Sequence, residues 1–267
     1  MAYRQPAFMY NHHAADEITD LADITTTSSL LTDDEKRMLI DRRVGDLAVW
    51  GVTAESYIQF DFGSPLVVNR MVIPEGHSLM GEDLEIEYDD HAGFTSPIVL
   101  DSWTQSSVAT GVIDRELAVT SEQFWRLTAL ATGAGDYEVG EVWFGIYREL
   151  STTDGLAVDP RFESNYASQI TEVVFPGGEA AVELGPARRV FSLSIKNVEG
   201  GGTNWTVLQV VQKTGRVTPF YYWPPDDDEP GPYLVKLSED GFRVQEFSSP
   251  SVSTRYQIDL KMIEQLL

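Results

Sequence analysis

The sequence predicts an all-β protein: two β-sandwich or jelly-roll-like domains in series, with one or two short helices. Three observations carry that expectation. Apolar residues alternate over short runs along the whole chain, while the spacing of an amphipathic helix is scarce. The runs are strand-length and bounded by Gly, Pro, Asp or Ser, as strands joined by tight turns are. A length of 267 residues also exceeds what one compact core usually fills.

In chain order, the first strands are expected at Tyr57–Phe62, Leu66–Ile73, Leu84–Tyr88, Phe124–Thr128 and Val139–Phe144. Two short helices precede them, one within Asp16–Ile24 and one opened by Thr32-Asp33-Asp34-Glu35, where Thr32 caps and Glu35 completes a capping box. The second half repeats the strand pattern at Glu172–Phe175, Ala181–Leu184, Val190–Ile195, Trp205–Val211, Tyr233–Leu237, Phe242–Phe247 and Tyr256–Leu260, with Asp259–Leu267 closing the chain. Turns such as Phe175-Pro176-Gly177-Gly178 and Glu239-Asp240-Gly241 join them. Gly200-Gly201-Gly202 lacks the Lys-Ser/Thr of a phosphate cradle and reads as a hairpin loop. The polar stretch Glu149–Gly155 marks a boundary between domains 1–150 and 151–267.

Charge supports that division. Residues 1–150 hold 26 acidic and 9 basic side chains, net −17, against 16 and 10, net −6, in 151–267. The total of −23 opposes a nucleic-acid backbone and an anionic membrane, since both attract lysine and arginine. No apolar h-region follows Met1 and no run approaches a membrane span, so the expectation is a soluble chain without its own export signal, for which the Asn204-Trp205-Thr206 sequon has no chemical meaning. The lack of cysteine excludes disulfides, thiolate metal sites and thiol nucleophiles.

The residues that carry chemistry elsewhere are sparse. Histidines stand at 12, 13, 77 and 91, and no HExxH, GxSxG or dinucleotide fingerprint occurs. Adjacent residues on a strand point to opposite faces, so His12 and His13 are poorly placed to share one ion, and a surface or N-terminal-arm role is expected for them. His77, in Pro74-Glu75-Gly76-His77-Ser78, is either a ligand-facing side chain or a loop histidine bonded to backbone. Glu82-Asp83 and Asp89-Asp90 carry little weight as acid/base pairs in so acidic a chain. The run Pro224–Pro232 concentrates four carboxylates but lacks the alternate spacing of a calcium loop, and reads as a solvated loop.

Three segments in order resemble the galactose-binding-like (discoidin, F5/8 type C) jelly-roll family: Asp41 through Trp50, then Ile58-Gln59-Phe60-Asp61-Phe62-Gly63, then Trp125-Arg126-Leu127 with Val139-Gly140-Glu141-Val142-Trp143-Phe144-Gly145. They span about residues 20–148, one domain of that family. The segment Met71–Leu79 before Leu84–Tyr88 looks closest to such domains in tailed-phage structural proteins. In sugar-binding members an Asp-loop and a glutamate of the last strand hold calcium, which the resemblance assigns to Asp41 or Asp46 and to Glu141. Here Arg42 and Arg43 stand where glycine and a second acidic residue usually follow, and the threonine before the tryptophan is absent. A purely structural role would instead pair Glu141 with a buried arginine such as Arg126. In the second domain, Gly215–Pro224 followed by Tyr233–Leu237 is similar to a turn and strand of some phage tail-tip and minor tail proteins; plain aromatic core packing accounts for it equally.

These readings lead to a structural, non-catalytic subunit of a phage or phage-like tail or tail tip. It is expected to assemble in the host cytoplasm, reside in the virion, and form homo-oligomers through 151–267 beside other tail proteins, with the galactose-binding-like domain as decoration or adaptor. The alternative is a carbohydrate-binding module for a cell-surface glycan, with Trp50, His77 and Trp103 as its ligand site and calcium as the one cofactor the resemblance admits.

Overall fold

A computed structural model describes residues 5–27, 31–42, 46–52, 56–106, 111–130, 135–152, 157–167, 170–174, 180–184, 187–225, 231–247 and 254–265. Two compact units emerge, Asn11–Tyr147 and a second formed by Met1–Tyr10 with Arg148–Leu266. The expected turns at 175–178 and much of the acidic run, 226–230, lie outside the described residues. Among the described residues no helix is long and apolar enough to cross a membrane.

Strand β1 (Ala7–Met9) belongs to the second unit. The first unit opens with α1 (His13–Glu17), a 3-10 turn (Leu21–Asp23) and β2 (Ile24–Thr26), followed by α2 (Asp33–Met38). Helix α2 starts where the sequence indicates: Thr32 Oγ1 accepts from Glu35 N at 3.3 Å while Glu35 Oε2 accepts from Thr32 N at 2.6 Å. Then come β3 (Ala48–Val52), β4 (Ser56–Ile73), β5 (Asp83–Asp89), β6 (Ile98–Thr104), β7 (Ile113–Ala129), β8 (Gly135–Val139) and β9 (Trp143–Gly145). They form one antiparallel sheet in the order β2-β4-β7-β5-β6, with β9 also on β4, and a two-stranded sheet β3-β8.

The runs Tyr57–Phe62 and Leu66–Ile73, which the sequence separates, are one strand. Its pairing with β7 slips between Asp61 and Leu66 and again between Val68 and Arg70. At the first slip Gly63 takes a φ of +71° and its N–H donates to Asp61 Oδ1 at 2.8 Å, so a glycine and a local side-chain acceptor bend the strand without ending it. Conversely Val139–Phe144 divides, because residues 140–142 leave the ladder. Ile58, Phe60, Leu84, Ile86, Trp125, Leu127 and Phe144 fill the core.

The second unit continues with β10 (Tyr147–Glu149), β11 (Ala157–Ala167), β12 (Ile170–Val174), β13 (Ala180–Leu184), β14 (Arg188–Glu199), α3 (Thr203–Thr214), β15 (Phe220–Trp223), β16 (Tyr233–Phe247) and β17 (Arg255–Glu264). Seven strands form a sheet in the order β10-β1-β15-β16-β17-β14-β11, while β12 and β13 pair as a separate hairpin. The boundary near 150 that the charge suggests is thus incomplete, because Ala7–Met9 pair with Tyr221–Trp223 and Leu150 N donates to Pro6 O at 3.0 Å. The unit 11–147 is an insertion whose two flanking strands, β1 and β10, are neighbours in the sheet that hosts it.

Trp205–Val211 is part of helix α3 and not a strand. Its β-branched content suggests a strand, but Asn204, Val207, Leu208 and Val211 are the buried positions, the i, i+3, i+4, i+7 period of a helix. Gly202 caps its start and Gly215 its end. The sequon asparagine is also consumed structurally: Asn204 is buried, its Oδ1 accepting from Ser151 N at 2.7 Å and its Nδ2 donating to Ser151 O at 2.8 Å. Phe220–Trp223, expected on a turn, is a buried strand of the sheet.

The helical period has a direct test. Leu208 is fully buried and Thr206 exposed, although a strand would put both on one face. Urea unfolding should show Leu208→Ala lowering stability by about 2–5 kcal/mol and Thr206→Ala by less than about 1 kcal/mol; equal effects would contradict the helix.

Candidate functional site

The residues assigned to calcium gather in part. Glu141 follows β8 and is fully buried. Its Oε2 accepts from Trp143 Nε1 at 2.5 Å, and its Oε1 has no hydrogen-bond partner. Burial pushes its carboxyl up to about 8; the Trp143 N–H pulls it back, the Asp41 carboxylate raises it further, and Arg42 lowers it. Asp41 is therefore an electrostatic neighbour of Glu141, as the resemblance implies, while no described interaction brings Asp46 to the pair.

What closes around Glu141 is an aromatic and cationic cluster. His12 stacks on Trp143 at 4.3 Å with the rings 23° apart, and the Arg42 guanidinium stands 6.0 Å from the same indole. Arg42 adopts a φ of +61° and pairs with Asp16, which also accepts from His12 N at 3.1 Å. Burial first, then Arg42 and His13, hold His12 well below its ordinary range, so it is neutral at pH 7. His13, on the neighbouring face, meets Val67 O through Nε2 at 3.0 Å.

This set does not fit calcium. The ion takes six to eight oxygen ligands with carboxylates ionised. Here one Glu141 oxygen is held by the Trp143 N–H, Arg42 supplies a positive charge beside the carboxyl, and among the described residues no three His, Asp or Glu side chains converge as a metal centre. Nor does Glu141 pair with Arg126. Arg126 lies between the rings of Tyr57 and Phe94, 3.7 and 3.6 Å from their centroids, and donates to Gln59 Oε1 at 2.9 Å.

The three residues assigned to a ligand divide differently. Trp50 is fully buried on β3 within the core and offers no platform to solvent. His77 is buried too: Nδ1 accepts from Leu79 N at 3.3 Å and Nε2 faces Gly111 O at 2.9 Å, so both nitrogens are spent on backbone. Burial, partly offset by the Gly111 carbonyl, lowers its pKa, and of the two readings of His77 the backbone-bonded one holds.

Trp103 is half-buried on β6, the last strand of its sheet. Strand alternation puts Asp101, Trp103 and Gln105 on one side, a signal present in the sequence but not used there. Gln105 Oε1 accepts from Trp103 Nε1 at 3.1 Å. Arg115 lies 4.6 Å from the indole centroid and donates through Nε to Asp101 Oδ2 at 2.6 Å. Backbone bonds between Gln105 and the 81–82 turn bring in Glu82, which accepts from Tyr137 OH at 2.5 Å; burial and this carboxylate push the phenol up to about 12. The carboxylate pairs of the sequence have structural roles: Asp83 accepts from Thr104 Oγ1, and Asp89 accepts from His91 N and Ser96 N, closing the 89–96 loop. The Ser96 N–H foremost holds Asp89 below its usual range.

No family model and no curated protein matches the chain. Among solved structures it is similar to chitosan-binding module 1 of a chitosanase/glucanase from Paenibacillus sp. IK-5, at 13% identity and a TM-score of 0.40, covering 50% of this chain and 98% of the module. It is also similar to two modules of Clostridium perfringens. CpGH89CBM32-6 shows 17% identity and a TM-score of 0.39, with 50% and 98% covered. CpGH89CBM32-5, in complex with GalNAc-β-1,3-galactose, shows 14% identity and a TM-score of 0.36, with 47% and 97% covered.

The raised Glu141 carboxyl fixes a pH response. A group that binds its proton more tightly folded than unfolded costs no stability below its unfolded value near 4.5, costs progressively more as pH rises, and levels off above about 8. Glu141→Gln keeps an acceptor for Trp143 and removes that dependence. In urea unfolding it should match the parent at pH 4 and exceed it by roughly 3–5 kcal/mol at pH 9; parallel pH profiles would count against the assignment. A chelator should leave the melting temperature unchanged, whereas a fall of several degrees would show a bound ion.

Proposed function

We propose that the unit 11–147 is a non-catalytic glycan-binding module whose contact surface is the outer edge of its larger sheet, around Trp103. The observation that carries this reading is the grouping at that edge: a half-buried indole with a fixed Arg115–Asp101 pair against it and Gln105 beside it on the same strand face. Sugars offer apolar C–H patches ringed by hydroxyls. The part of the Trp103 indole left open to solvent offers apolar contact to the former, and a guanidinium with a carboxylate supplies a donor and an acceptor for the latter, already held in place before a ligand arrives. Among the described residues β6 pairs with β5 alone and ends the sheet.

Calcium has no part in this reading, because Arg42 stands beside Glu141 and no three His, Asp or Glu side chains converge there among the described residues. The tail-subunit reading, with its homo-oligomer and virion partners, rests on the sequence resemblance alone.

A glycan array probed with the full chain should retain at least one sugar, with or without chelator. Arg115→Ala should then weaken binding about tenfold or more, the scale of one charge-assisted contact. Silence of the parent protein on every sugar would overturn the reading.

A further inference from the structure

The second unit carries a pocket of about 590 Å³ on the face of its sheet opposite the core. Its floor follows from alternation along two strands. Phe191, Leu193, Ile195, Ile258, Leu260 and Met262 turn into the core, which leaves Ser192, Ser194, Asp259 and Lys261 on the other face. Register aligns them in two rows: Ser194 opposite Asp259 and Asp259 opposite Arg243, with Ser192 opposite Lys261.

The wall is an irregularity of β16. Leu237 pairs with Met262, and the next pair is Phe242 with Leu260, so Ser238–Gly241 stand against the single residue Lys261. Four residues in that space must rise off the sheet. They return to it at Gly241, where a Cβ would lie 2.3 Å from Lys261 O and 2.7 Å from Ser238 N. Only glycine allows that approach.

The lining mixes one fixed acceptor with groups that have no partner. Asp259 Oδ1 accepts from Ser194 Oγ at 2.5 Å and from Gln257 Nε2 at 3.0 Å. The Ser238 hydroxyl oxygen is buried and makes no hydrogen bond, and Arg243 and Lys261 form no ion pair among the described residues. Glu239 and Asp240 also border the pocket, both exposed on the bulge. In a chain with 42 acidic and 19 basic side chains, two unpaired cations facing one concavity are conspicuous. Among the described residues no aromatic ring lines it, and polar groups outnumber the two leucines, Leu193 and Leu260, that also border it, so it suits a polar ligand better than a stacked planar one.

We propose that this pocket binds a carboxylated sugar, a hexuronate. Its carboxylate lies between Arg243 and Lys261, and its ring hydroxyls donate to Asp259 and exchange hydrogen bonds with Ser192 and Ser238. The volume suits one or two sugar rings, and both cations are needed because the bordering carboxylates would otherwise repel the ligand. The site is separate from the Trp103 surface and stands without it.

Calorimetric titration of the full chain with glucuronate tests this. Measurable binding is expected, about tenfold or more weaker for glucose, which lacks the charge, and for acetate, which lacks the hydroxyls. Arg243→Gln and Lys261→Gln, both at exposed positions, should each weaken glucuronate binding about tenfold with the melting temperature unchanged. Arg115→Ala, which alters only the other unit, should leave it intact. Absence of glucuronate binding, equal affinity for glucose or acetate, or binding that survives both glutamine variants and is lost with Arg115→Ala would overturn the proposal.

Discussion

Strands β4 and β7 run antiparallel over almost the full length of both, and β2, β5 and β9 each hydrogen-bond to one of them. Arg70 fixes this pairing from its own ladder. Its guanidinium forms two bonds with Asp114, at 2.6 and 2.7 Å, and one with Glu116 at 3.1 Å, and it lies 4.7 Å from the Tyr147 ring. A one-residue slip of β4 along β7 would turn Ile58, Phe60 and Met71 outward and separate those charges, so apolar alternation and the ion pair specify the same register. The edge that carries Trp103 inherits its position from this pairing through β5, and Arg115 reaches that edge from β7 itself.

Much of the fold is legible because its signals are local. Thr32 and Glu35 lie three residues apart and need nothing distant to form a capping box. Tyr57–Phe62 alternates because one face meets the core. Where the outcome depends on distant partners, the sequence is silent or misleading. Trp205–Val211 has strand propensities, and only burial by the sheet selects the helical period. Phe220–Trp223 and Ala7–Met9 are four- and three-residue segments whose pairing joins positions more than 200 residues apart.

The candidate site divides along the same line. Trp50, His77 and Trp103 are the residue types a sugar surface uses, yet burial is set by the elements packed around them, and only Trp103 keeps a solvent edge. Asp41 and Glu141 do come together, as their order in the chain implies. Arg42, Trp143 and His12 decide what that proximity means, setting Glu141 against an indole, a stacked imidazole and a guanidinium and not among further oxygen ligands. The uneven charge reads differently in this light. The net acidity of residues 1–150 is mostly surface, whereas three arginines of that half are spent on specific neighbours, Arg70 on Asp114, Arg115 on Asp101, Arg126 on Gln59.

The adjacency of β1 and β10 bears on the order of assembly. Bringing those two strands together in an unfolded chain closes a loop of 137 residues, at an entropic cost of roughly 4 kcal/mol. Once 11–147 is folded its two ends are held near each other, and the same pairing becomes a contact between chain neighbours in all but number. With 11–147 already folded, most of that closure cost is met before β1 and β10 pair. That saving belongs to the connectivity and not to any single contact.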